Sequence, residues 1–116
     1  MSDMPSSLPA TAPAVRDLAP LLAVQEGAIV SRVLLKNAGG TVTLFAFDGG
    51  QGLSEHTTPY EALVVAVEGR AEVDIAGVTH RVAAGQMLVL PANQPHAVRA
   101  IGPFKMLLTM LRAPAG

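Results

Sequence analysis

From residue 28 to residue 111 the chain is a succession of short runs rich in Val, Leu, Ile, Thr and Phe, each closed within a few positions by Gly, Pro or Asn. Side chains that are β-branched or aromatic fit a pleated, half-buried surface, and Gly, Pro and Asn supply the backbone angles of tight turns. The pattern predicts strands at 28–35, 41–47, 53–56, 62–67, 71–75, 79–82, 87–90, 96–100 and 105–111. The intervening turns fall at 37–40, 48–52, 68–69, 76–77, 84–85, 91–95 and 102–103. No long helical period separates the strands, which disfavours a parallel α/β arrangement and leaves an all-β antiparallel sandwich or barrel. Residues 15–24 suit only a short helical turn, because Pro20 removes a backbone donor there.

A chain of 116 residues has room for one core. Residues 1–13, dominated by Pro, Ser, Thr and Ala, are expected to form a disordered or extended tail, and residues 14–116 a single barrel domain. Half of the residues are apolar, yet no uninterrupted apolar stretch nears the roughly 18 residues of a membrane helix, so no membrane partner is expected. The eight Lys and Arg are scattered against nine Asp and Glu, and the aromatic supply is Phe45, Phe47, Phe104 and Tyr60. Neither a phosphate-binding face nor a base-stacking platform emerges, so nucleic acid is not an expected partner. Without cysteine there are no disulfides, thiolate ligands or thiol nucleophile, and any metal must sit on His, carboxylate or water. The N-terminus lacks the basic start and apolar stretch of a secretory signal, from which cytoplasmic residence is expected.

Two segments are built alike. GQGLSEHTTPYEALVVAVEG places five residues between Gly50 and His56 and ends at Gly69, and GQMLVLPANQPHAVRA holds Gly85, Pro91 and His96. Spacing and content here resemble the two motifs of the cupin superfamily over residues 50–100. The resemblance implies a jelly-roll barrel enclosing a cavity, and a metal held by two histidines and a carboxylate of the first motif plus the histidine of the second. Thr58 stands where the second histidine would be, Ala62 where the carboxylate would be, and Asn93 where the inner Gly of the second motif would be. His56 and His96 remain.

Strand alternation puts His56 and Thr58 on one face and Ala62, Val64 and Ala66 on one face, which with His96 and Val98 form the expected pocket. In a regular strand Glu61 faces away from Ala62, but beside Pro59 a turn or bulge would redirect its carboxylate, making it a third candidate ligand. Met106 and Met110 share a face of the last strand, suited to filling core gaps or to meeting an apolar ligand. Glu68, Glu72 and Asp74 offer no catalytic pair, and Ser31 and Ser54 lack a glycine elbow.

Three functions are compatible with these residues. One is a non-enzymatic domain binding a small molecule in the barrel pocket, with both histidines hydrogen-bonded remnants or polar handles. Another is a metal-dependent oxygenase or isomerase, as the resemblance implies, with a weakly bound divalent transition metal (Zn, Fe, Mn, Ni or Cu) on His56, His96 and Glu61, completed by water or substrate. A third is an assembly module, a homodimer joined through the segment 28–35, which either pocket reading tolerates.

Overall fold

The computed structural model describes residues 13–112, so the expected tail at 1–13 lies outside the described residues except for Pro13, as does the end of the expected domain from 113. Its strands are β1 (Ile29–Asn37), β2 (Gly40–Phe47), β3 (Gly52–His56), β4 (Glu61–Ile75), β5 (Val78–Ala83), β6 (Met87–Leu90) and β7 (His96–Leu111). All pairings are antiparallel, in the order β1-β2-β7-β4-β5, with β3 added to β7 and β6 to β4. This is the all-β jelly-roll architecture that the sequence implies.

Seven strands replace the nine expected, because two of the turn signals lie inside continuous strands. The Glu68–Gly69 break falls within β4 and the Gly102–Pro103 break within β7. These are the barrel's corners. The first half of β4 pairs with the second half of β7 and with β6, and beyond the corner Arg70 to Ile75 pair with Ile101 to His96 and with β5. The β4–β7 register slips on both sides of Glu68. Gly69 has φ +74°, and a Cβ there would lie 2.1 Å from the carbonyl oxygen of Pro103. Only glycine permits that approach, and the bend carries each long strand from one wall of the barrel to the other.

Alternation then sorts the side chains. Phe47, Ala62, Val64, Ala66, Ala71, Val73, Val98, Phe104 and Met106 fill the interior, where each excludes water on the face that its strand turns inward. Leu44 and Ala46, on the opposite face of β2 from Phe45 and Phe47, are also fully buried. They lie under the N-terminal segment, whose 3₁₀ turn Ala19–Leu21 is the expected short helical turn at Pro20. Lys105 Nζ donates to the carbonyl of Ala19 at 2.8 Å, and Arg32 donates to that of Leu21 at 3.1 Å. Among the described residues no helix is long and apolar enough to cross a membrane.

Candidate functional site

His56 ends β3 and His96 begins β7, and the two are direct partners across the strand pair. Antiparallel partners lie close enough for their side chains to touch. Their rings meet edge to face with centroids 4.4 Å apart and planes inclined by 67°. Each is anchored in the same way. His56 Nδ1 lies 3.0 Å from the carbonyl oxygen of Ser54 and His96 Nδ1 3.3 Å from that of Gln94, in both cases two residues earlier in the chain. A carbonyl oxygen only accepts, so Nδ1 of each ring carries a proton, and in the neutral form of either ring Nε2 keeps a free lone pair.

Burial favours that neutral form. His96 is 8% exposed, and desolvation, with the like charge that His56 would carry, holds its pKa below the ordinary histidine value despite the opposing bond to Gln94. One ring is thus sunk into the barrel and its partner stands at the surface.

Both rings line a cavity of about 60 Å³, together with Thr58, Ala62, Leu90 and Val98. The β7 side chains Met106, Leu108 and Met110 close it. Val64 and Ala66, expected on the pocket wall, are instead packed into the core below and do not line it. Leu90 and Leu108 were not among the expected pocket residues. Alternation from Phe104 would have found Leu108, whereas Leu90 needs the register that sets it opposite Ala62. Larger hollows lie elsewhere, of about 400 Å³ beside Arg70 and Arg81, about 240 Å³ beside Leu35 and Thr109 and about 210 Å³ beside Tyr60 and Arg112. None of these includes the histidine pair.

The loop from Pro91 to Pro95 is locked to the site by its backbone. Asn93 adopts the left-handed conformation, φ +64°, so it meets the backbone demand of the Gly position that it occupies. Its N–H donates to the Thr58 carbonyl at 2.8 Å. The Thr58 hydroxyl is turned back on its own turn, 3.3 Å from the Tyr60 carbonyl, which spends its proton locally.

The four-ligand metal set implied by the resemblance does not fit these residues. Thr58 and Ala62 provide no ligand of that kind, and no three of the His, Cys, Asp and Glu side chains gather into a metal-holding group among the described residues. Glu61 is not the third ligand. It is exposed at the start of β4, in regular register with Leu111, and alternation turns it away from the face of buried Ala62. Three further acids are engaged elsewhere. Glu72 bridges Arg99 and Arg81, and the Arg99 hydrogen bond lowers its pKa. Glu68 lies 3.4 Å from Lys105, and Asp74 accepts from Thr79.

The family model described as the cupin domain matches residues 43–110. A curated relative, polyketide synthase CurC of Streptomyces cyaneus, is 36% identical over 75 residues, which cover 64% of this chain and 49% of that protein. The chain thus spans about half the length of that relative. A conserved protein of unknown function from Streptococcus pyogenes superposes with a TM-score of 0.83 at 36% identity, over 88% of this chain and 90% of its own. A cupin superfamily protein from Desulfitobacterium hafniense gives 0.82 at 27% identity, over 87% and 94%.

Proposed function

We propose, for a chain that belongs to the cupin domain family, that it is a binding domain whose barrel takes the hydroxyl end of one small molecule on the paired imidazoles. The observation that carries this reading is the anchoring of both Nδ1 atoms, which leaves two acceptors and no ring donor for a ligand. An occupant must therefore bring the proton. Apart from Thr58, whose hydroxyl is engaged by the Tyr60 carbonyl, the rest of the lining is Ala, Val, Leu and Met, which favours an apolar framework behind that hydroxyl.

Size limits the pose. The cavity is equivalent to about two waters, so only the tip of a ligand enters while its body lies over the mouth beside exposed His56. The likeness to a protein described as a polyketide synthase suits a ligand with hydroxyls on an apolar framework. No metal-dependent step is assigned, because the residue set lacks the ligands for the family's usual ion.

Calorimetric titration with phenol and with toluene tests the reading. Phenol should bind and toluene should bind more weakly, and His96→Leu, which keeps apolar volume but removes an acceptor, should weaken phenol by about three- to tenfold, the equivalent of roughly 1 kcal/mol. Equal affinity for the two probes, or indifference to His96→Leu, would overturn it.

A further inference from the structure

A ligand whose tip fills the histidine cavity leaves its body outside, and the register shows what that body meets. Lys36 is the strand partner of Thr41, Thr41 of Met110, Met110 of Ala62 and Ala62 of Leu90. Direct partners share a face of the sheet, so this row runs along the inner side of the wall, from buried Ala62 and Leu90 out to Lys36 on the edge strand. Carried on by one place from Glu61 and Leu111, the β4–β7 register sets Tyr60 beside Arg112. Each stands two positions from its neighbour in the row, Ala62 or Met110, and so belongs to the same inner face. The N–H of Arg112 donates to the Gly39 carbonyl at 2.9 Å, which ties this end of the chain to the turn between β1 and β2.

Lys36, Thr41, Tyr60, Met110 and Arg112 surround the hollow of about 210 Å³. It adjoins the histidine cavity. Met110 lines both spaces, and Thr58, which lines the cavity, holds its hydroxyl 3.3 Å from the carbonyl of Tyr60, which lines the hollow.

Charge distinguishes the two spaces. The hollow carries two permanent cations and no acid in its lining. Arg81, Arg99 and Lys105 are each paired with a glutamate, but among the described residues no carboxylate lies within ion-pair distance of Lys36 or Arg112. Glu61, next to Tyr60 in the chain, stands on the opposite face of β4 from Ala62. The hydroxyls of Thr41 and Tyr60 add donors to the same space, and the planar fork of a guanidinium accommodates both oxygens of a carboxylate.

We propose that this hollow holds a carboxylate, so that the ligand is a small hydroxy acid with its hydroxyl on the imidazoles, its apolar body along Met110 and its acid group between Lys36 and Arg112. The inference rests on the reading above for the hydroxyl end alone. Neighbouring strands lie about 4.8 Å apart, so Thr41 stands about that far beyond Met110, and an acid on a short chain reaches the cations.

Calorimetric titration of the full chain with para-hydroxyphenylpropanoate and with its neutral amide, which differ only at the charged end, tests the assignment. At low ionic strength the acid should bind about three- to tenfold more tightly than the amide. In about 0.5 M salt that advantage should shrink below about twofold, because charges at an open mouth are screened. Lys36→Met combined with Arg112→Met keeps the apolar stems and removes both charges, and should bring the two probes within about twofold of each other.

Equal affinity for acid and amide in the parent, an advantage indifferent to salt, or one retained by the double variant would each overturn the proposal. The salt series on the unaltered protein decides the question even if the double variant does not fold. Phenol and toluene bound equally, with the acid still preferred to the amide and the preference lost in the double variant, would sink the hydroxyl reading and leave the carboxylate site standing. Phenol preferred to toluene, with acid and amide equal, would do the opposite.

Discussion

At the scale of single residues, the site is governed by where each imidazole keeps its proton. His96 is buried, neutral and hydrogen-bonded through Nδ1, and its pKa is lowered from an ordinary value of about 6.5. The unfolded chain therefore takes up a proton at this histidine at higher pH than the folded protein does. Its stabilising contribution is complete above about pH 6.5 and is lost as pH falls through the lower folded value. The Tm should fall between pH 7.5 and 5, and the difference in Tm between the parent and His96→Gln should narrow over that interval; a difference independent of pH would contradict the assignment. The positions of His56, Thr58, Ala62 and His96 were legible in the sequence because motif spacing places them. The direction of Glu61 was not, since it turned on whether β4 begins with a bulge, and it begins in regular register. Asn93 was legible as a departure from a Gly position, but that it keeps the left-handed backbone is a fact of the folded loop.

At the scale of elements, β4 and β7 decide the shape. Glycine between two strand-forming runs reads locally as a turn, and at Ala76–Gly77 it is one, the hairpin between β4 and β5. At Glu68–Gly69 and Gly102–Pro103 the same chemistry bends a continuous strand, because the strands on either side keep pairing with each other across the corner. A local pattern cannot separate the two cases, which differ only in what lies opposite. Gly69→Ala should be severe. The left-handed backbone costs a side chain about 1–3 kcal/mol, and contact with the Pro103 carbonyl adds to it. We expect a loss of at least about 2 kcal/mol, or about 10 °C in Tm for a domain of this size, measurable by thermal denaturation. A change of under about 2 °C would show that the corner can relax.

At the scale of the whole molecule, one edge stands out. β1 ends the strand order, and Val33 and Leu35 are 57% and 45% exposed. A free edge with apolar side chains invites pairing with another chain, and this is the segment that the sequence marks for a homodimer. Light scattering after gel filtration should give twice the chain mass, and Val33→Lys with Leu35→Lys should halve it; an unchanged mass would place any interface elsewhere. The division between sequence and structure follows from the range of the forces involved. Alternation, turn residues and motif spacing are local, and they alone determined that this chain is an antiparallel barrel with two motif histidines and no full metal set. Only the tertiary structure decided that those histidines touch, that Val64 and Ala66 sit below the cavity, that Glu61 faces away, and that Met110 stands opposite Ala62. Each of these depends on register between strands distant in sequence, and register is settled when the whole barrel closes around its core.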